Sequence, residues 1–448
     1  MSEGRNVILI TIDDIRAGNL SCLGYHRKTS PNIDGLAEKG VLFRQAISNG
    51  GNSPCSFPSI LTSSYALMNA LGNERGYRPD WIFLSEENVT IAEVLKREGY
   101  STAAFHSNPW LSSFFYYNRG FDFFEDSFRG FGESFVLRGV RTRHKVLEYL
   151  WALRILYDKM RNKSDTCIEA LNQKGISWLQ KRNNKGFFLW IHYMDIHTPL
   201  VPPDLSPLKR LRAIWLYWKQ RRRSTHLSEE ELRTLVDFYD REIIHVDQEI
   251  GIFLDEAEKI GVSAENTYII ITGDHGEQFM EHGIVGHGRL YDEVLHVPLI
   301  FCGPGIRANT KIDNQVSLLD LSPTIIELLN INKVQTFQGT SLLPVMRGED
   351  KKQRGVFSEI AGSRGRKAIS FRTENWKCIV WFNGEKKREL YNLKQDPKET
   401  DNLAGKEEEK TRMFETKILN HLRKEKIMRR TAEEKRTIKK RLRRLRIK

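Results

Sequence analysis

Two short apolar runs, each ending in residues that bind metals, constrain this chain more than any other feature. Val7-Ile8-Leu9-Ile10-Thr11-Ile12 runs into Asp13-Asp14, and Tyr268-Ile269-Ile270-Ile271-Thr272 runs into Gly273-Asp274-His275-Gly276-Glu277. Both runs are β-branched and lack polar alternation, the pattern of strands buried on both faces of a parallel sheet. Acids at the carboxyl ends of such strands lie where open α/β sheets place their ligands. Asp13, Asp14, Asp274 and His275 therefore form a candidate set for one divalent metal ion. Such an ion acts as a Lewis acid on an oxyanion and lowers the pKa of a bound hydroxyl. One histidine among carboxylates admits Mn²⁺ or Zn²⁺ as well as Ca²⁺ or Mg²⁺.

Elsewhere strand-like runs alternate with helical patterns, which makes the chain an α/β protein. Asn32 to Gly40 reads as a short helix with a glycine stop, and Thr90 to Glu98 as another with Thr90 at its N-cap. Phe187 to Tyr193 is a third buried strand. Leu227 to Lys259 carries Leu232, Leu235, Val236, Tyr239, Ile243, Val246, Ile250 and Leu254 at helical spacing, and Leu318 to Leu329 is helical as well. From about residue 355 short strands take over, with Asn383-Gly384 as a hairpin signal. The expected organisation is a catalytic domain over 1–350, a small β subdomain over 351–405, and a basic helical or flexible tail over 406–448. Two segments look inserted: the amphipathic, basic 141–162, and 207–224, where basic residues flank Ile214, Trp215, Leu216, Tyr217 and Trp218. The second is either a lid helix packed on the body or an element for a membrane surface.

The net charge of +13 resembles a nucleic-acid signature until it is mapped. Residues 421–448 hold 14 Lys/Arg against 3 Glu, which leaves only about +2 for the rest of the chain. No specific nucleic-acid recognition is expected. The tail suits phosphates, acidic lipids or an acidic partner, or is simply a solvated helix end. Five scattered cysteines form neither a disulfide framework nor a CxxC site. Ser2 to Arg5 lead straight into the first strand, so no signal peptide is expected, and no run reaches the ~18–20 apolar residues of a membrane span. The expected location is cytoplasmic, with peripheral membrane contact through the tail left open.

Gly51-Asn52-Ser53-Pro54-Cys55-Ser56-Phe57-Pro58-Ser59 holds the candidate nucleophile, Ser53. Small polar residues run into a helix start, with Pro58 suited to its first turn. A hydroxyl there faces free N–H groups and a positive dipole end, which favour bound sulfate or phosphate, although an ordinary Ser-rich N-cap has the same look. The third strand leads into Met194-Asp195-Ile196-His197, where His197 can protonate a leaving oxygen, and His282 and His287 follow the second ligand pair. Asp195 and His282 join the candidate substrate-binding residues.

At these residues the chain resembles the sulfatase family of the alkaline phosphatase superfamily. The resemblance runs through Asn6 to Asp14, Ser30-Pro31-Asn32-Ile33-Asp34, Ser53 to Thr62, His197-Thr198-Pro199, Gly273 to Glu277, Asp320-Leu321-Ser322-Pro323-Thr324, Gly339 to Pro344 and Glu389 to Leu393. It implies an alkaline-phosphatase-like three-layer sandwich with a mostly parallel central sheet and a small C-terminal antiparallel subdomain. It also implies metal-dependent hydrolysis of sulfate esters of small molecules or glycans. By the same resemblance Asp13, Asp14, Asp274 and His275 bind one metal ion, calcium by family habit, and His197 and His287 contact the ester.

The chain departs from the family at the nucleophile. Sulfatases carry Cys or Ser, any residue, Pro, Ser, Arg, with the first residue converted to formylglycine. Aligned through Leu61-Thr62, Ser53 is the nucleophile, Cys55 takes the Pro position and Phe57 the Arg position, a poor signal for the modifying enzyme. Cys55 as nucleophile would put Phe57 at the Pro position and fits worse. The family's Gly-Lys-Trp-His is replaced by Phe105-His106-Ser107-Asn108-Pro109, so Asn108 is expected to take part of the lysine's role as a substrate-binding residue. A formylglycine hydrate expels sulfate through its second hydroxyl, whereas an unmodified serine needs water to attack the covalent intermediate. The alternatives to sulfate are therefore phosphomonoester, phosphodiester or phosphonate hydrolysis by unmodified Ser53, or head-group transfer.

Overall fold

The computed structural model describes residues 6–69, 82–126, 167–182, 185–221, 227–361, 367–382 and 387–445. The segment 141–162, residues 222–224 and the Asn383-Gly384 turn lie outside the described residues.

The two apolar runs of the sequence lie side by side. β1 (Asn6–Ile12) sits between β5 (Phe187–Tyr193) and β6 (Thr267–Gly273), parallel to both, with Leu9 opposite Trp190 on one side and Ile270 on the other. The remaining strands of this sheet are β2 (Val41–Ile47), β3 (Ser101–His106), β4 (Phe123–Asp126), β9 (His296–Cys302) and β10 (Thr310–Ser317). The eight-stranded order is β10-β2-β9-β6-β1-β5-β3-β4, and only β9 runs against its neighbours. A two-stranded ribbon, β7 (Gln278–Phe279) and β8 (Val285–Gly286), follows β6.

Helices cover both faces, which is why the central strands need no polar alternation. Ile8, Ile10 and Ile12 pack with the helices Pro31–Glu38, Ile168–Gln180 and Glu229–Lys259. Val7 and Leu9 pack with the helices Ser53–Thr62, Ile91–Arg97 and Leu321–Leu328. This is the three-layer α/β sandwich. The long helix Glu229–Lys259 starts at a capping box: Glu231 N–H donates to Ser228 Oγ (3.2 Å), and Ser228 N–H donates to the Glu231 carboxylate (2.6 Å). Its stripe of Leu235, Tyr239, Ile243, Val246 and Ile250 is buried.

The C-terminal strands β11 (Val356–Ala361), β12 (Lys367–Arg372), β13 (Trp376–Trp381) and β14 (Lys387–Asn392) form an antiparallel sheet in sequence order. The basic tail belongs to one helix, Glu408–Leu445. Its first part is docked: Phe414, Ile418 and Leu422, four residues apart, are buried against Ile369, Phe371, Cys378, Val380 and Leu390. The segment 207–221 is also a helix, with Ala213, Leu216 and Tyr217 turned into the body. All five cysteines are free, and among the described residues no helix is long and apolar enough to cross a membrane.

Candidate active site

The site grows from the carboxyl ends of β1, β5 and β6. Asp13 N–H donates to Tyr193 O (2.9 Å), and Asp274 N–H donates to Ile12 O (3.3 Å), so all three strand ends are tied at one level. Asp14 then leaves the strand direction with φ +59°, a left-handed conformation that Asp tolerates better than most residues. Gly273 permits the close approach: a Cβ there would lie 2.7 Å from Ile15 Cγ2 and 2.9 Å from its carbonyl oxygen. As a result Asp13, Asp14, Asp274 and His275 converge, each fully or almost fully buried.

Ser53 is the first residue of the helix Ser53–Thr62, whose N-cap Asn52 accepts from Cys55 N–H at 3.1 Å. Its hydroxyl enters the cluster. Ser53 Oγ lies 3.5 Å from Asp13 Oδ1, 3.4 Å from His275 Nε2 and 3.0 Å from Asn108 Nδ2. Asn108 also donates to Asp13 Oδ2 at 3.2 Å, so one amide spans nucleophile and carboxylate. Cys55 points elsewhere, into a small apolar cluster with Ala66 and Ile82. Phe57 is buried with its ring centroid 5.4 Å from Trp190 and 4.8 Å from His192.

The open side of the cluster carries two partly exposed histidines. His287 Nδ1 is 3.0 Å from Asp14 Oδ1 and 3.5 Å from Glu277 Oε2, and His197 Nε2 is 3.8 Å from Asp14 Oδ2. Their ring centroids are 5.4 Å apart. The other two candidates from the sequence lie elsewhere. Asp195 Oδ1 accepts from Ile168 N–H (3.3 Å) at the start of the helix Ile168–Gln180. His282 stacks on Tyr291 at 3.6 Å, with Nε2 3.5 Å from Glu293.

Sequence reasoning assigned no role to Glu277, His192, Ser56 or Tyr239, which the structure brings to the cluster. Ser56 Oγ donates to Asp274 Oδ2 (3.2 Å), and His192 Nε2 stands 3.5 Å from Asn108 Nδ2. The signal for His192 was available: it is an ionisable residue in an otherwise apolar buried strand.

Charge crowding dominates the electrostatics. Burial first, then repulsion from Asp274 and Asp14, raises Asp13 well above the usual range, and burial raises Asp274 as well, against the pull of His275. Burial would raise Asp14 too, but His287, His197 and His275 hold it well below the ordinary value. Against the burial that would lower them, the acids push His275 up to about 9 and His287 well above its ordinary value. His197 is pushed down to about 4, chiefly by burial, and burial raises Glu277 to about 7.

This donor set fits a divalent cation. Both Asp14 carboxylate oxygens are buried, and neither accepts a hydrogen bond of good geometry, although His275 Nδ1 and His287 Nδ1 each stand 3.0 Å from Oδ1. His275 Nδ1 has a partner in Gly276 O at 3.1 Å, which leaves Nε2 facing Asp13 Oδ1 (3.2 Å) and Asp274 Oδ2 (3.5 Å). Three buried carboxylates at such spacing repel one another until a cation joins them.

The sulfatase family model matches residues 5–331, and that of the N-sulphoglucosamine sulphohydrolase C-terminal region matches residues 280–427. The chain belongs to the sulfatase family. As a sulfatase it is a sulfuric ester hydrolase on the alkaline-phosphatase-like fold. It is 25% identical to arylsulfatase K of Xenopus laevis over 474 residues, covering 92% of this chain and 81% of that protein. With arylsulfatase K of Bos taurus it is 30% identical over 227 residues, 48% of this chain and 42% of that one. A solved structure in complex with D-glucosamine-2-N,6-O-disulfate superposes with TM-score 0.72 at 20% identity, covering 94% of this chain and 98% of that one. The phosphonate monoester hydrolase of Agrobacterium radiobacter superposes with TM-score 0.69, also at 20% identity, covering 96% of each chain. The N-sulphoglucosamine sulphohydrolase C-terminal match reaches residue 427 and so takes in the docked first part of the helix Glu408–Leu445.

Proposed function

We propose that this sulfatase uses Ser53 as its nucleophile, beside one divalent cation held by Asp13, Asp14, Asp274 and His275, on a sulfated small molecule or glycan. The observation that carries this reading is the position of Ser53 Oγ, at a helix N-terminus and within 3.5 Å of Asp13, His275 and Asn108. When bound, the cation, calcium by family habit, supplies Lewis-acid stabilisation of the oxyanion and favours the ionised hydroxyl.

The residues divide the remaining work. Ser53 Oγ attacks sulfur in line, and the bond from sulfur to the alcohol oxygen breaks. His287, 3.0 Å from Asp14 and 3.5 Å from Glu277, stands on the open side to give the leaving oxygen its proton. His197, neutral at ordinary pH, completes that wall and receives a hydrogen bond from the substrate. Asn108 donates to the Ser53 oxygen and orients it. Water then attacks sulfur and returns a proton to the now neutral His287, the Ser53 Oγ–S bond breaks, and sulfate leaves. The related structure bound to a glucosamine disulfate supports an amino-sugar sulfate as substrate.

A second reading rests on Phe57, which stands where the family places arginine in its modification signal. With unmodified Ser53, attack of water on the covalent intermediate equally suits phosphorus esters, and attack of an alcohol in place of water would transfer a head group. Mass spectrometry of the peptide across Ser53, followed by turnover of aryl sulfate, phosphate, phosphodiester and phosphonate, tests both readings. Sulfate turnover above the rest supports the first reading, and a preference for a phosphorus ester overturns it. Asp274→Ala abolishes metal-dependent turnover if the cation site is as assigned. We further propose a cytoplasmic location, in keeping with five free cysteines, and polyanion or anionic membrane contact for the basic end of the last helix.

A further inference from the structure

The helix Pro207–Arg221 turns an apolar stripe outward. Leu208, Leu211 and Trp215 are 80%, 61% and 46% exposed. Their spacing of three and four residues puts them on one face. The opposite face is committed to the body, with Ala213, Leu216 and Tyr217 buried and Ile214 and Trp218 packed beside them. One exposed leucine means nothing, but three apolar residues on one face of a charged helix need a reason.

Charge supplies the reason. The helix holds five Lys/Arg and no acid. Lys209 and Arg212 are exposed beside the stripe, and the Arg212 guanidinium and the Lys219 ammonium lie 5.1 and 5.0 Å from the Trp215 ring. Neighbouring acids answer part of this charge: Glu230 stands 3.6 Å from Arg212, and Glu231 pairs with Lys219 at 2.6 Å. Arg221-Arg222-Arg223 continue the basic run in the sequence. Leucines that insert, a tryptophan at their border and cations on both flanks are the makings of a helix that lies in a lipid interface. Three side chains fall far short of the roughly 800 Å² per partner of a stable protein interface. A sulfated glycan would engage the cations and the Trp215 ring but would leave Leu208 and Leu211 unused.

We propose that the helix Pro207–Arg221 docks this protein on an anionic lipid surface. It begins ten residues after His197, on the same connection that leaves β5. The proposal does not rest on which ester the site cleaves.

The test is co-sedimentation of the full chain with vesicles of phosphatidylcholine alone or mixed with phosphatidylglycerol. The expected result is binding to the mixed vesicles only, weakened by salt. Replacing Leu208, Leu211 and Trp215 together by Gln lowers it at least ~10-fold, with turnover of a small soluble ester and thermal unfolding unchanged. The pair Lys209→Gln and Arg212→Gln lowers it as well, and decides the matter if the triple variant fails to fold. Failure of the natural chain to sediment, equal binding to both vesicles, or variants that bind like the natural chain each overturn the proposal. The last outcome would transfer the binding to the C-terminal helix. Loss of soluble-ester turnover in every form would instead count against the site assignment.

Discussion

The Tyr239 hydroxyl donates to the backbone oxygen of Asp14 at 2.6 Å and accepts from Arg16 N–H at 2.9 Å. Tyr239 sits in the middle of the long helix Glu229–Lys259 and is fully buried. One phenol therefore closes the turn in which Asp14 holds φ +59°, a conformation that costs on the order of 1 kcal/mol outside glycine. The carboxylate of Asp14 is thus aimed by a residue remote in sequence.

Tyr239→Phe should fold normally and lose cation affinity. A buried carbonyl and N–H left unpaired cost ~1–3 kcal/mol, and the share of that cost that falls on the metal-bound turn raises Kd, by at most about 150-fold. Calorimetric titration of Ca²⁺ or Mn²⁺ into metal-stripped protein reads this directly. An unchanged Kd would show that the turn holds Asp14 without help.

Ser53→Ala should be inactive while Cys55→Ser keeps most activity. Ser53 Oγ is inside the cluster, whereas Cys55 packs against Ala66 and Ile82. Steady-state kinetics on one aryl sulfate suffices. A dead Cys55→Ser with a live Ser53→Ala would reverse the choice of nucleophile.

The convergence of Asp13, Asp14, Asp274 and His275 was legible because buried β-branched runs announce parallel strands, and their ends lie together at one edge of the sheet. His197 and His287 followed from the same logic applied to the next connections. Tyr239 was read as one more position on an apolar stripe, since periodicity does not show that its hydroxyl reaches across to residue 14. Asp195 and His282 were proposed on nearness to the other candidates in sequence, and the contacts they make are local: the N–H of Ile168 and the ring of Tyr291. The tail was read by its charge, which hid the four-residue spacing of Phe414, Ile418 and Leu422 that docks the start of its helix. The segment 207–224 mixed both readings, because one helix can pack Leu216 and Tyr217 inward while exposing Trp215.

Asn108→Ala should lower kcat with little effect on KM. Its amide reaches both Ser53 Oγ (3.0 Å) and Asp13 Oδ2 (3.2 Å), so it orients the attacking oxygen. Removing one such preorganised donor costs roughly 10²–10³ in kcat. A rise in KM at constant kcat would recast Asn108 as a ground-state binder.

Glu425 makes stability fall as pH rises. Burial, and then the neighbouring Glu359, push its carboxyl up to about 8, with only weak opposition from Lys424 and Gln338. Glu359 itself is engaged by His421 Nε2 at 2.7 Å, on the same helix as Glu425. A carboxyl whose pKa is raised by folding contributes fully below its unfolded value, and that contribution is lost as pH climbs through the folded value. Between the model-peptide value of 4.5 and about 8 the unfolded chain releases a proton that the folded chain keeps, so unfolding becomes progressively easier. Glu425→Gln cannot ionise and should escape this loss. Thermal unfolding should show the variant near the natural chain at about pH 5 and above it at about pH 9. Because Glu425 lies one turn beyond His421, the gain should appear as tighter docking of the Glu408–Leu445 helix, read by slower amide exchange around Ile418 and Leu422. Parallel pH profiles for the two proteins would mean that Glu425 is solvated well enough to ionise in place.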